Sequence, residues 1–136
     1  MTDDRNKDQW DDLPLPMLEA LASQRHIGLM HGADGIAEVT GSCGDSMLVQ
    51  IKVTGGAISE VSSLVRGCIY TTACATALGD LARGLSLDEA VMLEPEELSR
   101  ALGGLPDDHI HCARLALNAL GEAILYWHAA SGAGAT

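Results

Sequence analysis

The clearest pattern along the chain lies in Met47-Leu48-Val49-Gln50-Ile51-Lys52-Val53-Thr54. Positions 47, 49, 51 and 53 are all apolar, while Gln50, Lys52 and Thr54 fall on the opposite face, which predicts a half-buried β-strand. Gly55-Gly56 follows as a two-residue hairpin turn, and Ala57 to Val65 supplies the returning strand. Its alternation slips between Ile58 and Val61, the signature of a bulge. Gly35 to Thr40 reads as an earlier strand, joined to the next by the loop Gly41-Ser42-Cys43-Gly44-Asp45. The result is a three-stranded antiparallel meander.

The periodicity then changes from two to about 3.6. After Cys68, residues Cys74, Leu78, Leu81 and Leu85 recur on one helical stripe. Ser86-Leu87-Asp88-Glu89 has the form of a capping box and opens a short helix. Glu94-Pro95-Glu96-Glu97 opens another, with proline and acidic residues in the first turn, and Gly103-Gly104 stops it. Asp107 or Asp108 caps a long final helix whose buried stripe is Ile110, Ala113, Leu117, Leu120, Ile124 and Trp127. Ahead of the strands, Leu13 to about Ser23 makes a short helix with Pro14 and Pro16 confined to its first turn. Strands followed by helices give an α+β fold, with the helices packed on one face of the small sheet.

A chain of 136 residues suits one domain, here 13–130, between an acidic flexible tail over 1–12 and a frayed tail over 131–136. With no Phe and only 3% aromatic residues, the core must be aliphatic and rich in alanine. No apolar run approaches a membrane span, and residues 1–12 lack the apolar stretch of a secretory signal, so a cytoplasmic location is expected. A net charge of −11 argues against nucleic acid and anionic membrane surfaces as partners.

A reducing compartment turns attention to the four cysteines, because clustered thiols there point to metal or catalysis rather than disulfides. Cys74 lies on the leucine stripe and fits the ordinary role of a small buried hydrophobe. The other three sit at element ends: Cys43 in a strand–strand loop, Cys68 between the last strand and a helix, Cys112 in the first turn of the last helix. A helix N-terminus favours a thiolate, the form that binds metal. Asp45 and His111 add an oxygen and a nitrogen donor beside these sulfurs. Three thiolates with one harder ligand suit either tetrahedral zinc or a [2Fe–2S] cluster, and the donor types alone leave both open. His109 reads closer to an ordinary surface or core histidine, and His26, His31 and His128 read as ordinary ones.

Gly41-Ser42-Cys43-Gly44-Asp45-Ser46-Met47, Gly67-Cys68, Leu85-Ser86-Leu87-Asp88-Glu89-Ala90 and Leu105-Pro106 leading to His111-Cys112-Ala113 resemble the IscU/NifU-type iron–sulfur scaffold family. The resemblance runs from about Leu29 to Ile124, and the short stretch between Cys68 and Cys112 is similar to the IscU branch, the SufU branch carrying an insertion there. It implies a scaffold, not a turnover enzyme, that takes sulfur from a cysteine desulfurase, binds iron, builds a transient [2Fe–2S] cluster and passes it to acceptor apo-proteins. It also implies that Cys43, Cys68 and Cys112 are cluster ligands, that Asp45 and His111 complete or modulate the site, and that zinc can occupy it.

The chain departs from the family at three places. The family's chaperone-recognition segment Leu-Pro-Pro-Val-Lys is here Leu105-Pro106-Asp107-Asp108-His109, which counts against recognition by the dedicated Hsp70 chaperone. Ile69, Tyr70, Thr71 and Thr72 replace the glycine and serines that usually follow the second cysteine. The customary N-terminal tyrosine segment is not recognisable in residues 1–25. Two other functions fit the same donors: a zinc-bound persulfide acceptor working with a cysteine desulfurase, as in the SufU branch, and a structural zinc module.

Overall fold

The computed structural model describes residues 13–42 and 44–131. Cys43 and the expected tails over 1–12 and 132–136 lie outside the described residues. The elements in order are α1 (Leu15–Ser23), β1 (Gly35–Thr40), β2 (Ser46–Thr54), β3 (Ala57–Arg66), α2 (Ile69–Ala82), α3 (Leu87–Ala90), α4 (Pro95–Ala101) and, after a 3₁₀ turn at Asp107–His109, α5 (Ile110–Ala130).

The sheet is the predicted antiparallel meander, in the order β1-β2-β3. Gly35 pairs with Ile51 and Thr40 with Ser46, and Ser46 in turn faces Arg66. Opposite Lys52 and Val53 the β3 partners are Glu60 and Ile58, which leaves Ser59 as the extra residue of the bulge. Its hydroxyl donates to the Lys52 carbonyl at 3.2 Å, so the bulged residue spends its polar group on the neighbouring strand.

Met47, Val49 and Ile51 point to the inner face and are fully buried. Helices α5, across β1 and β2, and α2, across β3, cover that face and meet each other, with α4 against both and α1 against α2. Alanines 73, 75, 77, 113, 116, 119 and 123 are buried, and such small side chains let helix and sheet backbones approach closely.

Three local expectations change. Gln50, assigned to the outer face, is only 1% exposed. The segment after α1 crosses over it, and the Gln50 amide donates to the Gly28 and Ser62 carbonyls at 2.9 and 3.2 Å while accepting from the Met30 N–H at 2.9 Å. Burial of the amide is tolerated because both its N–H groups and its oxygen have partners.

Leu85 is not on the α2 stripe. The helix ends at Ala82, Gly84 adopts a positive φ of 92°, and its N–H bonds the Ile58 carbonyl at 2.7 Å, turning the chain back to the sheet. Neither Asp107 nor Asp108 caps α5. The His109 N–H closes a tight turn onto the Pro106 carbonyl at 2.8 Å, so His109 takes the cap position and both aspartates face solvent. On α5 itself Ala113, Leu120 and Ile124 are buried as expected, whereas Ile110, Leu117 and Trp127 are half-buried. The alanines between them widen the buried stripe because α2, α4 and the sheet all lean on this helix.

Candidate metal centre

Three chain segments converge at one end of the sheet. The β1–β2 loop brings Asp45, held by a backbone hydrogen bond of 2.7 Å from the Gly41 N–H to the Asp45 carbonyl. Cys68 is the N-cap residue of α2. His109, His111 and Cys112 come from the turn that starts α5.

At the centre sits Thr71, fully buried in the first turn of α2. Its Oγ1 lies 2.7 Å from Asp45 Oδ2, 3.5 Å from Cys112 Sγ and 3.6 Å from Cys68 Sγ. A hydroxyl carries one hydrogen and serves one acceptor at a time, and the short contact with a carboxylate is the strongest of the three. Gly67 makes the arrangement attainable. A Cβ there would come within 2.7 Å of Thr71 Oγ1 and 2.9 Å of Thr71 Cβ, closer than real Cβ contacts allow, and 3.0 Å from Asp45 Cγ.

The donor atoms fall into two overlapping groups. Asp45, His111 and Cys112 each offer one ligand atom, and these atoms lie within 4.8 Å of one another. The same holds for Cys68, His109 and Cys112, so Cys112 belongs to both groups. His111 Nε2 is 3.7 Å from Cys112 Sγ. The His109 ring is stacked on Tyr70, with centroids 4.1 Å apart and planes at 27°, and lies 5.9 Å from the His111 ring. Sulfur, imidazole nitrogen and carboxylate oxygen together form a set that zinc or iron accepts. Beside them a cleft lined by Thr40, Gly41, Ser42, His111, Arg114 and Leu115 opens to solvent.

Electrostatics correct one expectation. The start of a helix was expected to favour the Cys112 thiolate, yet the thiol is pushed up to about 11. Burial is the largest cause; the Thr71 hydroxyl lowers the value, and negative charge on Cys68 and Asp45 raises it. Metal binding at Cys112 therefore has to displace a proton. Cys74 is raised further, by burial first and then by repulsion from Cys112 and Cys68, which matches its expected place in the core.

Of the residues singled out from the sequence, Asp45, Cys68, His111 and Cys112 are brought together, and Cys43 lies outside the described residues. His26 is a satisfied structural histidine, with Nε2 2.9 Å from Asp80 Oδ1 and its ring against Gly79. Two neighbours of the site were not assigned to it: Thr71, named only as a departure from the family pattern, and His109, read as closer to an ordinary histidine. Spacing carried a signal for both: Thr71 is three residues after Cys68 and His109 three before Cys112, the separation that puts side chains on one helical face.

Fold and site together define a small α+β protein that gathers thiolate, imidazole and carboxylate donors at one end of its sheet. The model of the NifU-like N-terminal domain family matches residues 16–133, and the chain belongs to that family. The iron–sulfur cluster assembly scaffold protein IscU 1 of Archaeoglobus fulgidus is 34% identical over 102 residues, which cover 74% of this chain and 67% of that protein. The scaffold protein IscU of Aquifex aeolicus is 32% identical over 111 residues, or 79% of this chain and 71% of its own length. In structure the chain is similar to a nitrogen-fixing NifU-like protein (N-terminal) from Brucella abortus, with a TM-score of 0.67, 17% identity, and coverage of 85% of this chain and 94% of that one. It is also similar to SufU from Fervidobacterium islandicum, with a TM-score of 0.65, 18% identity, and coverage of 82% and 95%. These two likenesses concern the fold. No helix among the described residues is long and apolar enough to cross a membrane.

Proposed function

We propose that this protein is a cytoplasmic scaffold on which a [2Fe–2S] cluster is assembled from iron and desulfurase-derived sulfur and then handed to acceptor proteins. In this reading the cluster is cargo. Cys43, Cys68 and Cys112 supply thiolates, Asp45 an oxygen ligand, and His111 a nitrogen that completes or modulates the site. The observation that carries the reading is the meeting of Asp45, Cys68, His111 and Cys112 from three distant segments beside an open cleft. A closed structural zinc site has four fixed ligands and no approach. Membership of the scaffold family supports the same reading.

Asp45 has a distinct part. A carboxylate holds iron less tenaciously than a thiolate and can be protonated or drawn away, here toward the Thr71 hydroxyl at 2.7 Å. That eases release of the cargo, so Asp45→Ala retains a cluster longer than the parent. The deciding experiment is anaerobic reconstitution with iron, cysteine, a cysteine desulfurase and a thiol reductant that brings the persulfide sulfur to sulfide, followed by absorption and Mössbauer spectra and transfer to an apo-acceptor. A coloured protein with paired iron sites that the acceptor discharges is expected. A colourless protein that keeps one tight zinc and accepts persulfide sulfur would replace this reading with the zinc-dependent sulfur acceptor.

A further inference from the structure

We propose that His109 is a metal ligand of this chain and forms, with Cys68 and Cys112, a second donor set beside the one that contains Asp45 and His111. The inference rests on the reading of this region as a metal site and adds a ligand to it. One ring nitrogen of His109 lies within 4.8 Å of both Cys68 Sγ and Cys112 Sγ, and those two sulfurs are within the same limit of each other. Ligand atoms around one tetrahedral zinc, with bonds of about 2.0–2.3 Å, are separated by about 3.3–3.8 Å, about 1 Å inside this limit, a distance that side-chain rotations can close.

The ring is also held for the task. Tyr70 stacks on it at 4.1 Å, which fixes its plane, and its position at the cap of α5 fixes its distance from Cys112. Nδ1 of His109 is buried and has no hydrogen-bond partner among the described residues. A buried ring nitrogen normally has one, and a group left without it calls for an explanation such as an ion.

The two sets differ in chemistry. Cys68, His109 and Cys112 offer two sulfurs and a nitrogen, which soft and borderline cations prefer. Asp45, His111 and Cys112 offer one of each donor type, and one of the two carboxylate oxygens is already engaged by Thr71. With Cys112 common to both, a cation can exchange Asp45 and His111 for Cys68 and His109 without leaving the protein. His109 thus provides a nitrogen ligand that does not depend on His111.

The test is X-ray absorption on the reduced full chain loaded anaerobically with Zn²⁺, together with chelator competition for affinity. The proteins compared are the parent, His111→Gln, His109→Gln, His109→Phe and the two double variants. In His111→Gln, zinc is expected to keep an imidazole, seen as a nitrogen at about 2.0–2.1 Å with ring scattering behind it, beside sulfurs at about 2.3 Å. Adding His109→Gln or His109→Phe to that background is expected to remove the imidazole and weaken binding by about 10-fold or more. The phenylalanine keeps a ring on Tyr70, so a loss seen with glutamine and not with phenylalanine would mean that the ring only packs, and the proposal fails. It fails equally if His111→Gln alone removes all imidazole or all zinc. If the parent itself binds no zinc through sulfur, the metal-site reading falls first, a result separate from either of these.

Discussion

Replacing Thr71 by valine keeps the shape of a fully buried side chain and removes one hydroxyl. The variant loses the 2.7 Å hydrogen bond to Asp45 Oδ2 and the two longer contacts with Cys112 and Cys68. A hydrogen bond to a charged acceptor contributes about 1.5–3 kcal/mol. Asp45 is half-buried, so water takes over part of the role, and a net loss of about 1–2 kcal/mol is expected for the metal-free protein. In a domain of this size that lowers the melting temperature by about 3–8 °C. The assay is urea and thermal unfolding of reduced, metal-free protein for the parent, Thr71→Val, Thr71→Ser, Asp45→Ala and the Val/Ala double variant. Serine keeps the hydroxyl and should recover most of the loss. The double-mutant cycle should give a coupling of about 1 kcal/mol, above the 0.5 kcal/mol within which unconnected sites add. Additive losses, or serine no better than valine, would refute the argument. A second readout follows from competition: with Thr71 no longer drawing on the carboxylate, Thr71→Val should bind zinc as tightly as the parent or up to about 10-fold more tightly, the equivalent of about 1.4 kcal/mol.

In a Cys43→Ser background without metal, iodoacetamide should modify half-buried Cys68 first and Cys112 much later, because the latter is buried with its thiol near 11. Cys74 should react only on unfolding, and peptide mass mapping that found Cys112 labelled ahead of Cys68 would count against the site as described. Asp80 supplies a pH test. Burial acts to raise its pKa, but hydrogen bonds from Arg25 and His26 outweigh this and hold the carboxyl below its ordinary value. A lowered carboxylate contributes stability above its unfolded pKa near 4, and that stability is lost as the pH falls through the lower folded value. Asp80→Asn should therefore melt about 2 °C or less below the parent at pH 7, with the gap closing toward pH 3; a gap that is constant or widens in acid would contradict it.

What the sequence reveals here follows the range of the forces involved. The β2 alternation, the Gly55-Gly56 hairpin and the bulge at Ser59 depend on neighbours in the chain, and all three are legible. So are the capping box at Ser86–Glu89 and the helix start at Pro95, although the bond from the Glu94 N–H to Glu97 Oε1 was not read there. Gln50 was not, because the segment that buries it arrives from 20 residues away at Met30. The absence of an aspartate cap on α5 comes from the tight turn at His109, a choice that local propensity did not indicate. At the site, cysteines at element ends beside Asp45 and His111 were readable as donors from residue type alone. The protonation of Cys112 was not, since burial by the packed helices outweighs the helix start on which the expectation rested. Thr71 was noticed only as a departure from a family pattern, and its place between a carboxylate and two sulfurs emerges once α2 and α5 are packed.

The convergence of the β1–β2 loop, the start of α2 and the start of α5 has a thermodynamic consequence. An ion held by Asp45, His111 and Cys112, or by Cys68, His109 and Cys112, is a cross-link between segments far apart in the chain, and it closes a long loop much as a disulfide does. Because the unfolded chain cannot present these donors together, occupancy and folding are linked: at a free concentration 100 times the dissociation constant, the ion adds about 2.7 kcal/mol to the stability of the fold. In the proposed transfer, surrendering the cargo reverses that gain, so the emptied protein is the looser state, and the acceptor has to overcome the donor's stability as well as its ligands.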